Sequence, residues 1–327
     1  MSLDLIGVGS PLVDLVLQVD EDFLTSQVSG AKGGMELVDA AAIEALVKKA
    51  KKKPVLAAGG AASNTTVGAA NLGLQTAFIG AIGNDETAAF YREALTRQGV
   101  DPRLVIHPTE ASGRVLSLVT PDAQRTMRTN LGASQTLLPE HVTPEAFAGA
   151  KVVMLEGYTL FNHDLTRAVA RSAKAAGCQL ALDLASFEVV RFNRGVLEEL
   201  LSGQVDIVFA NEDEAAAWVE GGPEAALADL ARRASIAVVK LGKHGALIAR
   251  GDERVTVAAE PVVEVIDTTG AGDTWAAGFL AAHRRGLPLA ACGTLGAKAA
   301  AAVVQVMGAT VPPAEWKKLK GWLDAWS

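Results

Sequence analysis

The amino-acid sequence predicts an α/β fold, with a mostly parallel sheet covered by helices on both faces and a small antiparallel sheet beside it. Short β-branched or aliphatic runs alternate with alanine-rich helical stretches, which is the pattern of parallel strands joined by helices. Half of the 327 residues are apolar, so the chain can bury a large core as one domain or as two. Two segments, 12–38 and 110–130, interrupt the alternation.

The core elements follow from the spacing of apolar residues. Continuous apolar runs predict strands that are buried on both faces of a parallel sheet, and apolar residues three or four apart predict helices. The predicted strands are 3–8, 76–82, 152–155, 179–183, 207–210 and 237–241. The predicted helices are 40–51, 61–72, 87–98, 165–176, 213–219 and 274–285.

The two interrupting segments show the polar and apolar alternation of strands with one exposed face. Their predicted strands are 14–19, 34–38, 113–119 and 125–130. The resulting small sheet is either a lid that excludes water from bound substrate or an ordinary β-excursion without motion. We therefore expect an α/β core that binds nucleotide and substrate, and a β lid. The core comprises residues 1–12, 40–109 and 131–327, and the lid comprises 13–39 and 110–130.

Composition narrows the class of partner. Thirty Lys and Arg against 37 Asp and Glu make the chain mildly acidic, which disfavours nucleic acid or an anionic membrane and favours small molecules. The two cysteines, Cys178 and Cys292, lack metal-ligand spacing. The first residues enter a strand pattern directly, and no apolar run approaches the roughly 20 residues of a membrane span. We expect a cytoplasmic protein that is a monomer or a homodimer.

The most informative motif is the run DTTGAGD at residues 267–273, which precedes a predicted helix. Gly270, Ala271 and Gly272 carry little or no side chain, so their N–H groups and that of Asp273 can face one small anion at the helix start. Asp273 could accept the proton of an attacking hydroxyl. The motif therefore indicates phosphoryl transfer, and the alternative is a glycine-rich loop with an acidic first-turn residue.

Two motifs in the first hundred residues lie at predicted helix starts. Gly59 and Gly60 precede one helix and Asn64 lies on its first turns, so backbone can approach a ligand while an amide binds its hydroxyls. Asp85 follows a predicted strand at the start of the next helix, where we favour a helix N-cap over a functional role.

Asn211 and Glu214 begin a helix directly after a predicted strand. Their spacing could orient a hydrated Mg²⁺, but it is equally that of a capping box.

The run KLGKHG at 240–245 closes another strand. It is either a hairpin or a backbone surface for a nucleotide whose phosphates meet Lys240 or Lys243.

The run GVGSPL at 7–12 superficially resembles a dinucleotide-binding loop. Leu12 replaces the third glycine, Pro11 lies within the turn, and a strand pattern follows where a helix is required. An oxidoreductase is therefore disfavoured.

Together these motifs resemble the PfkB (ribokinase-like) carbohydrate kinase family over almost the whole chain. Residues 267–273 match its C-terminal signature D-T-x-G-A-G-D. Gly59, Gly60 and Asn64 match its N-terminal glycine-pair signature, and residues 211–214 match its N-x-x-E pattern. The resemblance implies a ribokinase-like three-layer α/β/α core with a small antiparallel β lid.

The resemblance also implies ATP-dependent phosphorylation of a primary hydroxyl on a sugar or nucleoside. Asp273 would be the catalytic base, and the amides of Gly270, Ala271 and Gly272 the anion hole. Asp14 matches the aspartate that binds paired sugar hydroxyls, a role that suits two carboxylate oxygens. Gly59, Gly60 and Asn64 would complete the substrate site.

The implied nucleotide and ion sites use further residues. Lys240, Gly242 and Gly245 would flank the nucleotide. Asn211 and Glu214 would hold Mg²⁺ through water. Asp267 and Thr269 match one side of a site for a monovalent cation such as K⁺.

Residues 9–14 and 125–134 are most similar to the adenosine kinase-like branch of the family, in which an arginine matching Arg125 reaches the transferred phosphate. The predicted acceptor is therefore an adenosine-like ribonucleoside, and a free sugar such as ribose or fructose is the alternative. Phe161, Met127 and Phe187 are candidates to stack on a base. A different class, a catalytically silent sugar- or nucleotide-binding regulator on the same scaffold, is disfavoured by the retained Asp273.

Overall fold

The computed structural model describes residues 2–122 and 124–326. The strands of this part of the chain are β1 (Leu3–Val8), β2 (Leu12–Gln18), β3 (Met35–Leu37), β4 (Val55–Gly59), β5 (Thr76–Ile82), β6 (Val100–Ile106), β7 (Gly113–Val119), β8 (Arg125–Asn130), β9 (Ala150–Glu156), β10 (Gln179–Asp183), β11 (Ile207–Asn211), β12 (Ile236–Lys240), β13 (Ala246–Arg250) and β14 (Glu253–Val257). The helices are α1 (Glu21–Gln27), α2 (Ala40–Ala50), α3 (Ala61–Asn71), α4 (Glu86–Arg97), α5 (His163–Ala175), α6 (Phe187–Phe192), α7 (Arg194–Leu201), α8 (Glu212–Trp218), α9 (Gly222–Leu230), α10 (Ala271–Arg284), α11 (Leu289–Val303) and α12 (Pro313–Asp324).

The larger sheet has the order β14-β13-β12-β11-β10-β9-β1-β5-β6. Its strands are parallel from β6 to β12 and antiparallel at β13 and β14. Alternate residues of β9 enter different cores: Val153 packs with α5, and Met154 packs with α10. Helices therefore cover both faces, as the continuous apolar runs predict, and the three-layer α/β/α core is confirmed.

The smaller sheet has the order β3-β8-β7-β2-β4 and is mixed, so the prediction of an antiparallel lid is wrong in this respect. The pairs β2–β7 and β3–β8 are parallel, whereas β2–β4 and β7–β8 are antiparallel. The alternating pattern indicates one exposed face but does not encode strand direction, and strands far apart in sequence are free to pair in parallel. The sheet also contains β4, which lies outside the ranges expected for the lid.

Four strands were not predicted, namely β4, β6, β13 and β14. Both Val55 and Leu56 of β4 are exposed, so this strand lacks the buried run that marks its neighbours. Pro102 lies within β6, which is tolerated because β6 is an edge strand of the larger sheet.

The position of the site follows from the order of the parallel strands. Four adjacent strands, β9 to β12, end in a polar or charged residue at the same edge of the sheet: Glu156, Asp183, Asn211 and Lys240. Ligands of open α/β sheets bind at the carboxyl ends of their strands.

The helix N-cap that the sequence predicts at Asp85 is present in the structure. The Asp85 side chain accepts a hydrogen bond from Ala88 N at the start of α4 (2.9 Å), as expected for an N-cap. Both cysteines are buried free thiols.

Over residues 2–122 and 124–326, none of the helices combines the length and the apolar character that crossing a bilayer requires.

Candidate active site

The glycine-rich loop leads into α10 as the sequence predicts, but the helix begins at Ala271. Gly270 precedes it with φ 73°, in the left-handed region that favours glycine. The Ala271 N–H donates to Thr268 O (3.2 Å), so one amide of the predicted anion hole is used within the loop. Gly272 and Asp273 lie in the first helical turn, where N–H groups have no intrahelical partner and the helix dipole favours an anion.

Asp273 is partly buried and held by α3. Asn64 Nδ2 donates to Asp273 Oδ2 (2.9 Å), and Thr65 Oγ1 donates to the Asp273 carbonyl (3.1 Å). Burial raises the pKa of Asp273 to about 7; the Asn64 hydrogen bond and Lys240 oppose this rise, and the Asp183 carboxylate adds to it. A carboxylate with a pKa near neutral pH is suited to general-base catalysis.

The two predicted glycines bring Asp14 and the first loop close to α3. A Cβ on Gly59 would lie 2.7 Å from Asp14 Oδ2, and one on Gly60 would lie 2.3 Å from Ser10 O. Burial raises the pKa of Asp14 to about 6, against the lowering effect of Arg125. The structure therefore places Asp14, the glycine pair and the Asn64–Asp273 pair around one region.

Glu156, at the end of β9, was not predicted. It is 2 % exposed, and its carboxylate accepts hydrogen bonds from Ser10 N (2.7 Å) and Ala62 N (3.0 Å). This carboxylate fixes the loop after β1 to the start of α3, and a side chain at Gly9 would collide with it. In the sequence, the indication for Glu156 is that a single glutamate directly follows the apolar run of a buried strand.

Arg125, on β8 of the smaller sheet, reaches the loop before α10. Its Nη2 lies 3.0 Å from Asp267 Oδ2, and its Nη1 donates to Thr269 Oγ1 (3.1 Å). The Asp267 carboxylate also accepts hydrogen bonds from Thr269 N and from Gly308 N. Burial opposes ionisation of Asp267, but these donors and Arg125 hold its pKa below the usual range.

Asp267 and Thr269 are the residues that the resemblance places on one side of a site for a monovalent cation. Both carboxylate oxygens already accept hydrogen bonds from the chain, and Arg125 balances the charge. The side chains of Asp267 and Thr269 in this arrangement do not fit a K⁺ site, and we assign no step to such an ion.

Asn211 and Glu214 form the capping box of α8. Glu214 N donates to Asn211 Oδ1 (2.8 Å), and Asn211 N donates to Glu214 Oε2 (2.8 Å). Asn211 Nδ2 also donates to Glu214 Oε1 (2.7 Å). Burial raises the pKa of Glu214 to about 7, and Asp183 adds to the rise. The capping interpretation is confirmed, and it leaves a buried carboxylate at the edge of the site.

Within the run at 240–245, Lys240 ends β12 and residues 241–245 form the turn to the antiparallel strand β13, so the hairpin interpretation is confirmed. Gly242 is exposed, whereas Gly245 is buried with φ 92° and packs against the backbone at Val257. The turn itself requires Gly245, and Gly242 is accessible to a ligand. Lys240 points toward the sheet edge, where its Nζ lies 2.7 Å from Asp183 Oδ2.

Aromatic side chains lie on the segments that follow β9 and β10. Phe161 is 59 % exposed and Phe187 is 37 % exposed, and both were candidates to contact a base. Tyr158, which the sequence analysis did not single out, lies on the same segment as Phe161 and is 48 % exposed.

A partly buried carboxylate at the amide-rich start of a helix, with a lysine beside it and an arginine of the smaller sheet at the preceding loop, defines the class of protein. These features form a phosphotransferase site of the kind that acts on a hydroxyl group. A family model described as pfkB family carbohydrate kinase matches residues 34–317. The chain belongs to this family, and its activity is the transfer of a phosphoryl group to an alcohol acceptor.

Individual relatives agree with this assignment. An adenosine kinase from Schizophyllum commune is 30 % identical over 98 % of this chain and 99 % of its own length. The crystal structure of adenosine kinase from Sinorhizobium meliloti has a TM-score of 0.87 and 34 % identity, with full coverage of both chains. A probable sugar kinase from Rhizobium etli CFN 42 also has a TM-score of 0.87, with 35 % identity over 98 % of this chain and 100 % of its own.

Proposed function

We propose that this kinase transfers the γ-phosphoryl group of ATP to a primary hydroxyl of a ribonucleoside, with an adenosine-like acceptor preferred. The observation that carries the chemistry is Asp273, a carboxylate with a pKa of about 7 in the first turn of α10. Similarity to two adenosine kinases and the exposed aromatic side chains after β9 and β10 support a nucleoside acceptor.

In the proposed reaction, the acceptor hydroxyl lies between Asp14 and Asp273. The Asp273 carboxylate takes the hydroxyl proton as the acceptor oxygen forms its bond to the γ-phosphorus, and the bond from that phosphorus to the ADP oxygen breaks. The Gly272 and Asp273 amides, at the positive end of α10, stabilise the negative charge on the transferring group. Asp14 binds ribose hydroxyls and so orients the acceptor.

Mg²⁺ is the metal expected with ATP, and oxygen donors such as Glu214 and Asn211 suit it. Each Glu214 oxygen accepts one hydrogen bond in the capping box, and a carboxylate oxygen can accept another from a metal-bound water. When bound with ATP, the ion would neutralise phosphate charge.

A screen of nucleosides and free sugars with ATP and Mg²⁺ tests the proposed acceptor. We expect adenosine or a close analogue to give the highest kcat/KM. Faster turnover of ribose or fructose would instead identify a sugar kinase of the same family. No ATP consumption with any of the acceptors would favour a binding protein on this scaffold.

A further inference from the structure

Lys240 and Asp183 form a buried ion pair that directly adjoins the anion hole. The side chains are 12 % and 11 % exposed, and the Nζ–Oδ2 distance is 2.7 Å. The pair spans β11, since Lys240 ends β12 and Asp183 ends β10. A Cβ on Gly272 would lie 3.1 Å from Lys240 Nζ, so the ammonium group lies against the backbone of the first turn of α10.

The backbone after Asp183 adopts an uncommon conformation that fixes this carboxylate. Ala185 has φ 65°, in the left-handed region that is costly for alanine. Its N–H donates to Asp183 Oδ1 (3.0 Å), which leaves Oδ2 for Lys240. The turn packs so closely on Gly157 that a Cβ there would lie 2.7 Å from Asp183 O. One carboxylate oxygen thus fixes the turn and the other fixes the lysine.

Lys240 has more hydrogen-bond donors than its ion pair with Asp183 uses. Burial lowers the pKa of Lys240, but the carboxylates of Asp183 and Glu214 outweigh this effect, so the pKa lies above its usual value. The lysine therefore stays charged. Its ammonium has three N–H donors, and the bond to Asp183 uses one of them.

We propose that Lys240 contacts the phosphoryl group during transfer, as a third donor beside the Gly272 and Asp273 amides, and that Asp183 is the residue that positions it. This proposal rests on the proposed kinase function and adds a charged member to the anion hole. Lys240 gives up no proton: the acceptor proton goes to Asp273, the bond to ADP breaks, and the ammonium offsets negative charge on the moving group.

The first test compares Lys240→Met with Lys174→Met, in which a partly exposed Lys–Asp pair (Nζ–Oδ1 3.1 Å) is broken away from the site. We expect Lys240→Met to lower kcat by about 10²–10³-fold, the loss typical for one oxyanion donor, with acceptor KM nearly unchanged. Lys174→Met should behave as wild type. A kcat for Lys240→Met within about threefold of wild type would overturn the proposal.

A double variant separates catalysis from structure. If the pair only holds β10 and β12 together, replacing both partners with apolar residues should restore stability and activity together, because buried ion pairs often can be so replaced. We expect Asp183→Leu/Lys240→Met to recover thermal stability relative to Lys240→Met while kcat stays low. Recovery of both properties would assign the pair a structural role only.

The pH profile of kcat distinguishes the two partners. The groups that face Asp273 are Asn64 from α3, Glu156 from β9, Asp183 from β10 and Lys240 from β12. Removing the Lys240 charge should move the acidic limb to higher pH, and Asp183→Asn should move it to lower pH. Shifts in the same direction, or none, would contradict the assignment.

Equilibrium binding keeps this inference testable apart from the proposed function. If wild type phosphorylates no acceptor, the proposed function fails. Lys240→Met should even then bind the β,γ-imido analogue of ATP about tenfold or more weakly and AMP equally well, because the lysine contacts the terminal phosphate. An equal loss of affinity for both nucleotides, or no loss, would show that Lys240 does not contact the terminal phosphate.

Discussion

Asp273 is the single residue on which the proposed chemistry depends most. Asp273→Asn keeps an oxygen that can accept from Asn64 Nδ2 but cannot take a proton at neutral pH. We expect kcat to fall about 10²–10⁴-fold, the contribution of a general base, without a lower unfolding temperature. Steady-state assays measure this, with Asp252→Asn on an exposed turn as the control. Near-normal turnover would remove Asp273 from its role.

The same side chain makes stability depend on pH. Because burial raises the pKa of Asp273 from 3.8 to about 7, the folded chain keeps a proton that the unfolded chain releases between these values. The stabilisation is present at low pH and is lost as pH rises through the folded pKa. Asp273→Asn should therefore raise the free energy of unfolding by on the order of 1–3 kcal/mol at about pH 8 and little at about pH 4. Denaturant titrations at both values measure it, and an equal effect at both would contradict the raised pKa.

Asp14 is expected to affect the acceptor and not the nucleotide. Asp14→Ala removes a carboxylate beside Gly59, and the loss of a charge-assisted hydrogen bond should raise the acceptor KM about tenfold or more. The KM for ATP should change much less. Initial-rate measurements with each substrate varied in turn decide this, with Asp22→Ala at an exposed position of α1 as the control. Equal effects on both KM values would argue against a clamp on ribose hydroxyls.

At the scale of elements, the contact of α3 with α10 holds the site together. A Cβ on Gly68 of α3 would lie 2.6 Å from the Ala277 Cβ of α10 and 3.2 Å from the Trp316 ring. Gly68→Ala should therefore separate the helices, cost about 1–3 kcal/mol through overpacking and lower kcat by disturbing the Asn64–Asp273 hydrogen bond. Thermal unfolding and kinetics measure both effects.

The matched control for this substitution is Gly321→Ala in α12. No heavy atom lies within 4 Å of its Cβ position, and alanine is the better helix former. This variant should be as stable as wild type or more so. If Gly68→Ala behaved in the same way, close packing of α3 on α10 would not be required.

Strands and helices were predicted accurately where a single local sequence pattern marks the element. The strand at 3–8 and the helix at 61–72 were predicted within one residue of β1 and α3, since buried runs and helical spacing are strong local signals. The edge strands β6 and β14 were missed because their exposed residues break the apolar run. Strand direction in the smaller sheet was wrong because it depends on partners far away in sequence.

At the scale of the whole molecule, Arg125 connects the smaller sheet to the loop that precedes α10. Arg125→Gln removes the ion pair with Asp267, so hydrogen exchange of β7 and β8 should become faster because this sheet opens more often. Arg114→Gln is the charge-matched control, since Arg114 pairs with Glu44 on α2. Unchanged exchange in Arg125→Gln, or equal acceleration in both variants, would show that Arg125 does not secure the smaller sheet.

The fold class, the family and the glycine-rich loop before α10 were predictable from the sequence alone, because glycines at a helix start and periodic apolar residues are encoded within short windows of the chain. Which carboxylates are neighbours depends instead on how distant strands pack together. Glu156 and Asp183 end different strands, and nothing local marks them as partners of Ser10 or Lys240. Parallel strands bring their carboxyl ends to one edge, and burial there shifts the pKa of Asp273 to a value that no local sequence pattern reports.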